Sequence, residues 1–484
     1  MASAVASLEY EAVIGLEVHS QLLTQSKCFC ACSSQFGAPP NSHVCPVCMG
    51  MPGTLPVLNR RVLELAIRLG LAAHCQIMRS STFARKNYFY PDLPKGYQIS
   101  QYDQPLCVGG YLELPGEEGA QPRRIRLVRI HLEEDAGKNI HLPDCSLVDY
   151  NRSGLPLVEI VSEPDLRSAR EASAYLRELR AIVRYLKVSD GNMEEGNFRC
   201  DANVSVRPRG ATELGAKVEV KNMNSFRHVE NAIEYEIERQ IEALRAGERI
   251  AQETRLWNPD RGTTHPMRSK EFAHDYRYFP EPDLAPVLAP RELVEAVAAR
   301  MPELPAQRRA RYVEQLGISA YEAQVLTAER ELADYFEALL PAVSNIRMAA
   351  NWVMTEVLRV VNESGRELAQ AVPPAGEVGT LLKLVERDTI SLNAAKTAFA
   401  AMCKSGQGAL AIVAELGLAQ VSDESAIAHA CQRVLQSEPD KVAEYRGGRN
   451  KLFGFFVGQV MKAMGGKANP KVINEVLRRQ LEGS

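Results

Sequence analysis

Two groups of residues in this 484-residue sequence carry chemistry in their spacing. In KCFCACSSQFGAPPNSHVCPVCMG a C-x-C pair, Cys30 and Cys32, is separated by twelve residues from a C-x-x-C pair, Cys45 and Cys48. Each short pair presents two thiolates to one ion about 2.3 Å away, so the set suits a tetrahedral Zn²⁺ site. Four protein ligands leave no open coordination position, which makes such a zinc structural and not catalytic. Cys28 forms an alternative C-x-C with Cys30, and a set of free or redox-active thiols is the competing reading.

The second group is a series of acids inside strand-like runs. In VIGLEVHSQL, Glu17 and His19 are two apart and project from one face of a strand, while Ile14, Leu16 and Val18 project from the other. HLEEDAGKN adds Glu133, Glu134 and Asp135, PLVEIVSEPD adds Glu159, RCDANVSV adds Asp201 and AKVEVKN adds Glu219. Carboxylates gathered on one sheet face repel one another unless a hard cation neutralises them, and oxygen-rich sites suit Mg²⁺ better than zinc. Any one of these acids alone reads as an ordinary exposed strand residue. Their convergence requires the strands to be neighbours, which spacing leaves open.

A third feature is the aromatic-basic stretch RKNYFYPDLPKGYQISQYDQP, echoed by DYRYFPEPD at Asp275 to Asp283. Tyrosines among Arg85, Lys86, Lys95 and Arg277 suit stacking on a base and gripping phosphate, or equally a rigid packing corner beside prolines. No P-loop, no G-x-G-x-x-G opening a helix and no G-x-S-x-G elbow is present, which disfavours ordinary P-loop, dinucleotide-binding and hydrolase readings.

The elements that position these residues fall into two kinds. From about Tyr10 to Glu281, short alternating runs such as AVIGLEVHSQL, RIRLVRIHL, PLVEIVS, ANVSVRP and AKVEVKN are bounded by Gly, Pro, Asn or Asp and predict an antiparallel or mixed sheet. Helical spacing appears between them in RRVLELAIRLGLAAH, in SAREASAYLRELRAIVRYL and in FRHVENAIEYEIERQIEALRAG, the last stopping at Gly247. Prolines recur from Phe279 to Pro305, and Ala/Leu/Glu/Arg-rich helices follow. Further punctuation lies at Pro373 and Pro374 and near Gly406. The predicted class is α+β, with a large sheet domain over residues 1–294, an all-helical domain over 295–407 and a small helical tail over 408–484.

Apolar residues make up 45% and charged residues 24%, the balance of a globular protein, and the length requires more than one core. No window reaches the ~18 apolar residues of a membrane span, and five of eleven cysteines cluster between Cys28 and Cys48. No membrane and a reducing, cytoplasmic compartment are therefore expected. The net charge of −3 gives no global pull toward nucleic acid, whereas residues 441–484 carry a local charge of +6, with Lys467 and Lys471 flanking its Gly-Gly and Pro. That tail suits RNA phosphates, or is a solvated basic helix face.

VIGLEVHSQL, FGAPPN, CPVCMGMPGTLPVLN, RKNYFYPDLPKGYQISQYDQP, HLEEDAGKN, DYNRSGLPLVEIVSEPD, MEEGNFRCDANVSVRP, VEVKNMNSF and HDYRYFPEPDLAP together resemble the GatB/GatE family of tRNA-dependent amidotransferases. GFFVGQVMKAMGGKANPKVINEVL resembles the family's YqeY-like tail, so the likeness spans essentially the whole chain. It implies a cradle-shaped α+β domain, a helical domain and a YqeY-like tail. It further implies an ATP- and Mg²⁺-dependent kinase site at Glu17, His19, Glu134, Glu159, Asp201 and Glu219, and a structural Zn²⁺ on Cys30, Cys32, Cys45 and Cys48. The implied reaction phosphorylates the side-chain carboxylate of mischarged Glu-tRNA(Gln) or Asp-tRNA(Asn). Ammonia derived from glutamine then displaces phosphate to give the amide. The implied partners are an amidase subunit, a small third subunit that completes a heterotrimer, and the mischarged tRNA. Two rivals stand beside it. A non-enzymatic zinc-containing RNA-binding protein leaves the strand-borne acids without purpose, and an ATP-dependent ligase acting on a free small molecule leaves the basic tail without one.

Overall fold

The structure is a computed structural model that describes residues 9–114, 122–267, 276–420, 423–465 and 468–482. It divides into two compact units, Met1–Ala306 and Gln307–Ser484.

The first unit is built on a thirteen-stranded mixed sheet. Ten strands form its main path: β1 (Tyr10–Gln21), β2 (Ala84–Asn87), β3 (Tyr97–Ser100), β4 (Arg123–Glu134) and β5 (Pro156–Ser162); then β6 (Phe198–Pro208), β7 (Val218–Met223), β8 (Glu253–Asn258), β9 (Thr263–Pro266) and β10 (Phe279–Pro280). Their spatial order is β9-β8-β7-β6-β1-β5-β4-β3-β2-β10, and along this path only β7 and β8 run parallel. The sheet and the helices beyond it make the class α+β.

Alternation along the strands decides the two faces. Ile14, Leu16 and Val18 of β1 share one face with Ile130 and Leu132, Val158 and Ile160, Ala202 and Val204, and Val218 and Val220, all buried in one core. Helices α1 (Arg60–Ala72), α2 (Ala169–Tyr185) and α3 (Phe226–Arg245) contribute to that core. Burying each large aliphatic side chain there contributes roughly 1.5–3 kcal/mol before entropy is charged. The side-chain oxygens of Asn59, Ser168 and Ser225 accept the N–H of Arg61, Glu171 and His228 and so cap the three helices. Gly247, at φ +77°, takes the left-handed turn that ends α3.

The second unit is carried by helices around two separate cores. Helices α4 (Arg330–Leu339), α5 (Ala375–Glu386) and α6 (Leu392–Ser405) enclose the first, which runs from Tyr312 to Val413. Helices α7 (Glu424–Ser437), α8 (Leu452–Ala463) and α9 (Pro470–Glu482) enclose the second, from Ile427 to Leu481. The short helix Ala409–Glu415 buries Ala409, Ile412 and Val413 in the first of these cores. Among the described residues no helix is long and apolar enough to cross a membrane.

Candidate active site and metal centres

The face of the sheet opposite the core carries a row of polar side chains across its middle strands. Register brings them side by side: Glu219 on β7 opposes Asn203 on β6, Asp201 on β6 opposes Glu17 on β1, and His19 on β1 opposes Glu159 on β5. Glu159 in turn opposes His131 on β4, and Glu133 two residues further on opposes Ser100 on β3.

In the centre of the row His19 Nε2 lies 3.3 Å from Glu133 and 3.5 Å from Glu159. His131 Nε2 lies 3.3 Å from Glu159, and its Nδ1 accepts the Arg129 Nε–H at 3.2 Å. With Nδ1 engaged as an acceptor, Nε2 carries the hydrogen that faces Glu159. The donor atoms of His19, Glu133 and Glu159 all fall within 4.8 Å of one another, close enough to share one ion. Two carboxylates and one imidazole suit a divalent cation with oxygen and nitrogen ligands. Burial works against charge on His19, yet hydrogen bonds to the two carboxylates hold its imidazolium pKa up to about 10. Burial likewise works to raise Glu133 and Glu159, and His19 and His131 override it and hold both carboxyls below their ordinary range.

The other predicted acids on this face form a second group with a different counter-charge. Lys221 Nζ bridges Asp201 at 3.0 Å and Glu219 at 3.2 Å. A β-bulge makes this possible. Cys200 pairs with Met223 and Ala202 with Val220, so Lys221 and Asn222 together face Asp201, with Asn222 at φ +68°. Burial and the surrounding carboxylates of Glu159, Glu219 and Asp201 push Glu17 above the usual carboxylate range, against the hydrogen bond it accepts from Asn203 Nδ2 at 2.8 Å.

Glu134 is not part of this row. It shares the parity of Ile130 and Leu132, so its side chain enters the core side of the sheet, where it pairs with Lys95 and accepts the Ile99 N–H at 3.0 Å. Its neighbour Glu133 occupies the place beside His19 that the resemblance assigned to Glu134. The thiols of Cys30, Cys32, Cys45 and Cys48 gather in the same region, with all four sulfurs within 4.8 Å of one another, a geometry compatible with a structural metal. Glu134, Lys95, Cys30 and Cys48 line one cavity of about 190 Å³. Lys27, fully buried, places Nζ 3.7 Å from Cys48 Sγ and donates to the Tyr150 carbonyl at 3.1 Å. The Cys30 thiol first, then the Cys45 backbone N–H and Lys27, draw Cys48 down to about 4. Cys28 lies apart, fully buried in the main core, where burial raises its thiol pKa.

Lys86 is on the same face as the acid row, because Ala84 opposes Ser100 and Lys86 follows two residues on. Its Nζ sits 4.8 Å from the Tyr276 ring centroid, and Tyr278 stacks on Tyr102 at 4.1 Å. Burial draws the Lys86 pKa down, and Glu133 and the neighbouring tyrosines carry it above its ordinary value. Arg85 points to the other face and forks onto Glu281 at 2.7 and 2.9 Å.

In the second unit Lys471 Nζ pairs with Asp388 at 2.6 Å, and Arg479 pairs with Glu424 at 2.7 Å. Lys467 lies outside the described residues. The fold thus sets acids from outside residues 441–484 against part of the +6 charge of the tail.

A family model described as the GatB/GatE catalytic domain matches residues 12–295, and one described as the GatB domain matches residues 334–481. The chain is 55% identical over 476 residues to the aspartyl/glutamyl-tRNA(Asn/Gln) amidotransferase B subunit of Thermodesulfovibrio yellowstonii, covering 98% of this chain and 100% of the relative. It is 57% identical over 481 residues to the protein of the same name from Geotalea daltonii, again with 98% of this chain and 100% of the relative covered.

Proposed function

Because the chain belongs to the GatB/GatE family, we propose that the polar face of its sheet is where ATP, with Mg²⁺, activates the side-chain carboxylate of a mischarged aminoacyl-tRNA. The function is that of one component of a tRNA-dependent amidotransferase, as the names of the curated relatives have it. One observation carries the assignment of the site: His19, Glu133 and Glu159 converge from three neighbouring strands on one point, on the face the core leaves free.

Carboxylate activation needs this arrangement because a free carboxylate has no viable leaving group. A side-chain oxygen of Glu or Asp, esterified to tRNA(Gln) or tRNA(Asn), attacks the γ-phosphorus of ATP. The new O–P bond forms as the bond to the β–γ bridging oxygen breaks, and ADP departs with that electron pair. Ammonia then adds to the acyl carbon, phosphate leaves, and the amide remains. Mg²⁺, when bound, offsets the negative charge on the transferring group. His19, Glu133 and Glu159 hold it, and His131 orients Glu159 through its Nε2–H. Glu17, Asp201 and Glu219 extend the polar row beside it, with Lys221 as the counter-ion of Asp201 and Glu219.

The remaining assignments follow from the same premise. The relatives' name describes one member of a multi-subunit enzyme. We assign this chain two protein partners, an amidase that supplies ammonia from glutamine and a small third chain that completes a heterotrimer. Zn²⁺ on Cys30, Cys32, Cys45 and Cys48 braces the loop under the sheet, with Lys27 beside Cys48. The tail, 408–484, contacts tRNA through Lys467 and Lys471, so Lys471 must exchange Asp388 for phosphate.

The deciding measurement is ADP formation by the assembled complex with and without Glu-tRNA(Gln). Mischarged tRNA stimulates turnover in the wild type. Glu133→Gln abolishes that stimulation while glutamine hydrolysis survives. If Glu133→Gln leaves tRNA-stimulated turnover intact, activation takes place elsewhere.

A further inference from the structure

We propose that Lys86 is the cation that receives the γ-phosphate of the nucleotide at the His19–Glu133–Glu159 cluster, with the stacked tyrosines behind it forming one wall of the nucleotide pocket. The inference rests on the reading above, in which this face binds ATP, and it names a residue which that reading does not use.

The cations on the polar face differ in what already engages them. Lys221 is shared between Asp201 and Glu219. Arg199 donates to Asp135 at 2.6 Å, and Arg129 is turned toward the ring of His131. Lys86, among the described residues, has no hydrogen bond and no ion pair. Its contact is the face of Tyr276, 4.8 Å from the ring centroid, and an aromatic face supplies no acceptor oxygen. The nearby carboxylate of Glu133 keeps the ammonium charged without touching it, so its N–H donors are left for a ligand's oxygens. The register puts the ligand's place in view. Lys86 follows Ala84 on β2, Ala84 opposes Ser100 on β3, and Ser100 both opposes Glu133 and donates its hydroxyl to it at 3.2 Å. The ammonium therefore shares one face, two strands away, with the carboxylate that borders the metal site.

Phosphoryl transfer needs positive charge on the transferring group beyond that of the metal, and a lysine supplies it as a point charge. Tyr278 lies parallel to Tyr102 at 4.1 Å, and Tyr276 stands edge-on to Tyr278 at 5.9 Å. The stacked pair and the ring set across it make an aromatic corner beside Lys86, and a nucleoside base stacks on aromatic faces of this kind. One other anion has the same chemistry, namely the side-chain carboxylate of the mischarged amino acid, and the test separates the two.

The experiment measures equilibrium binding of a non-hydrolysable ATP analogue, ADP and AMP, each with Mg²⁺, to the assembled complex carrying wild-type chain, Lys86→Met or Lys86→Arg. The KM for Glu-tRNA(Gln) is read in parallel. Lys86→Met weakens the ATP analogue by about 10- to 100-fold, the loss of one charge-assisted contact, leaves AMP within about two-fold, and Lys86→Arg recovers part of the loss. A uniform loss across all three nucleotides means a structural role and overturns the proposal. Unchanged nucleotide binding with a raised KM for the mischarged tRNA also overturns it, in favour of the carboxylate. Absence of any nucleotide binding by the wild type sinks the ATP reading itself, an outcome distinct from a failure of Lys86 alone.

Discussion

Two groups of acids sit side by side on one face of one sheet, and they are neutralised in different ways. Asp201 and Glu219 have a lysine of the chain itself between them, held there by a bulge in β7. Glu133 and Glu159 have two histidines and no lysine or arginine within ion-pair distance among the described residues. A lysine is a permanent counter-ion and leaves no vacancy for a metal. An imidazole gives up its proton and becomes a ligand. The difference predicts where a divalent ion goes, although all four residues are acids on adjacent strands.

The sharpest way to break this comparison is to count bound ions. Mn²⁺, read by electron paramagnetic resonance, binds the wild-type chain at one site on this face. Glu159→Gln weakens that binding by at least about 100-fold, since it removes a direct ligand where even supporting groups cost 10- to 100-fold. Asp201→Asn weakens it by no more than a few-fold. Equal losses from the two substitutions would show that the metal straddles both groups and that Lys221 is displaced when it binds.

The cysteine loop extends the comparison to the far side of the sheet. Cys45→Ser removes one equivalent of zinc from the purified protein and lowers the melting temperature, because a structural ion contributes its binding free energy to folding. Mn²⁺ affinity on the polar face stays within about two-fold, the tolerance expected for sites with no shared partners. A zinc content that is already zero in the wild type would leave the four thiols without the role assigned to them.

A smaller effect is expected from Lys221→Met. With their built-in cation gone, Asp201 and Glu219 take up a second, weak Mn²⁺, with a Kd on the order of 0.1–1 mM for a site of so few ligands. The stoichiometry rises from one to two at high Mn²⁺. If it stays at one at these concentrations, the two acids are neutralised by neighbours other than Lys221.

What the sequence made legible depends on the range of the signal. The strands in AVIGLEVHSQL and PLVEIVS, the three helical stretches and the stop at Gly247 rest on local alternation, helical spacing and one glycine, and all are present. The pairing of Cys30 with Cys32 and of Cys45 with Cys48 follows from spacing within one loop, and it is this set, without Cys28, whose sulfurs gather. The acid row depends on which strands are neighbours. Glu17 and Asp201 are far apart in the chain and meet only through antiparallel register, which spacing does not encode. Lys221 escaped notice for the same reason, as its partner Asp201 is on another strand and a bulge sets its direction. The +6 count of the tail holds for its own segment and is limited by the same range. It took in the basic residues of one segment and missed Asp388 and Glu424, which the fold brings against Lys471 and Arg479.

One distinction was within reach of the sequence alone. In HLEED, His131 and Glu133 share one parity and Leu132 and Glu134 the other, and the buried leucine marks the core side. Period-2 alternation therefore points Glu133, and not Glu134, toward His19. The last prediction turns this into a test. Glu134→Gln leaves Mn²⁺ affinity unchanged within about two-fold, because its carboxylate opens to the opposite side of the sheet. It nevertheless lowers stability by about 1–3 kcal/mol, the cost of leaving the half-buried Lys95 ammonium without its charged partner. Glu133→Gln does the reverse, removing metal binding with less effect on the urea midpoint. Should Glu134→Gln abolish Mn²⁺ binding and Glu133→Gln spare it, the two side chains exchange faces when the ion binds, and β4 must slip by one residue to let them do so.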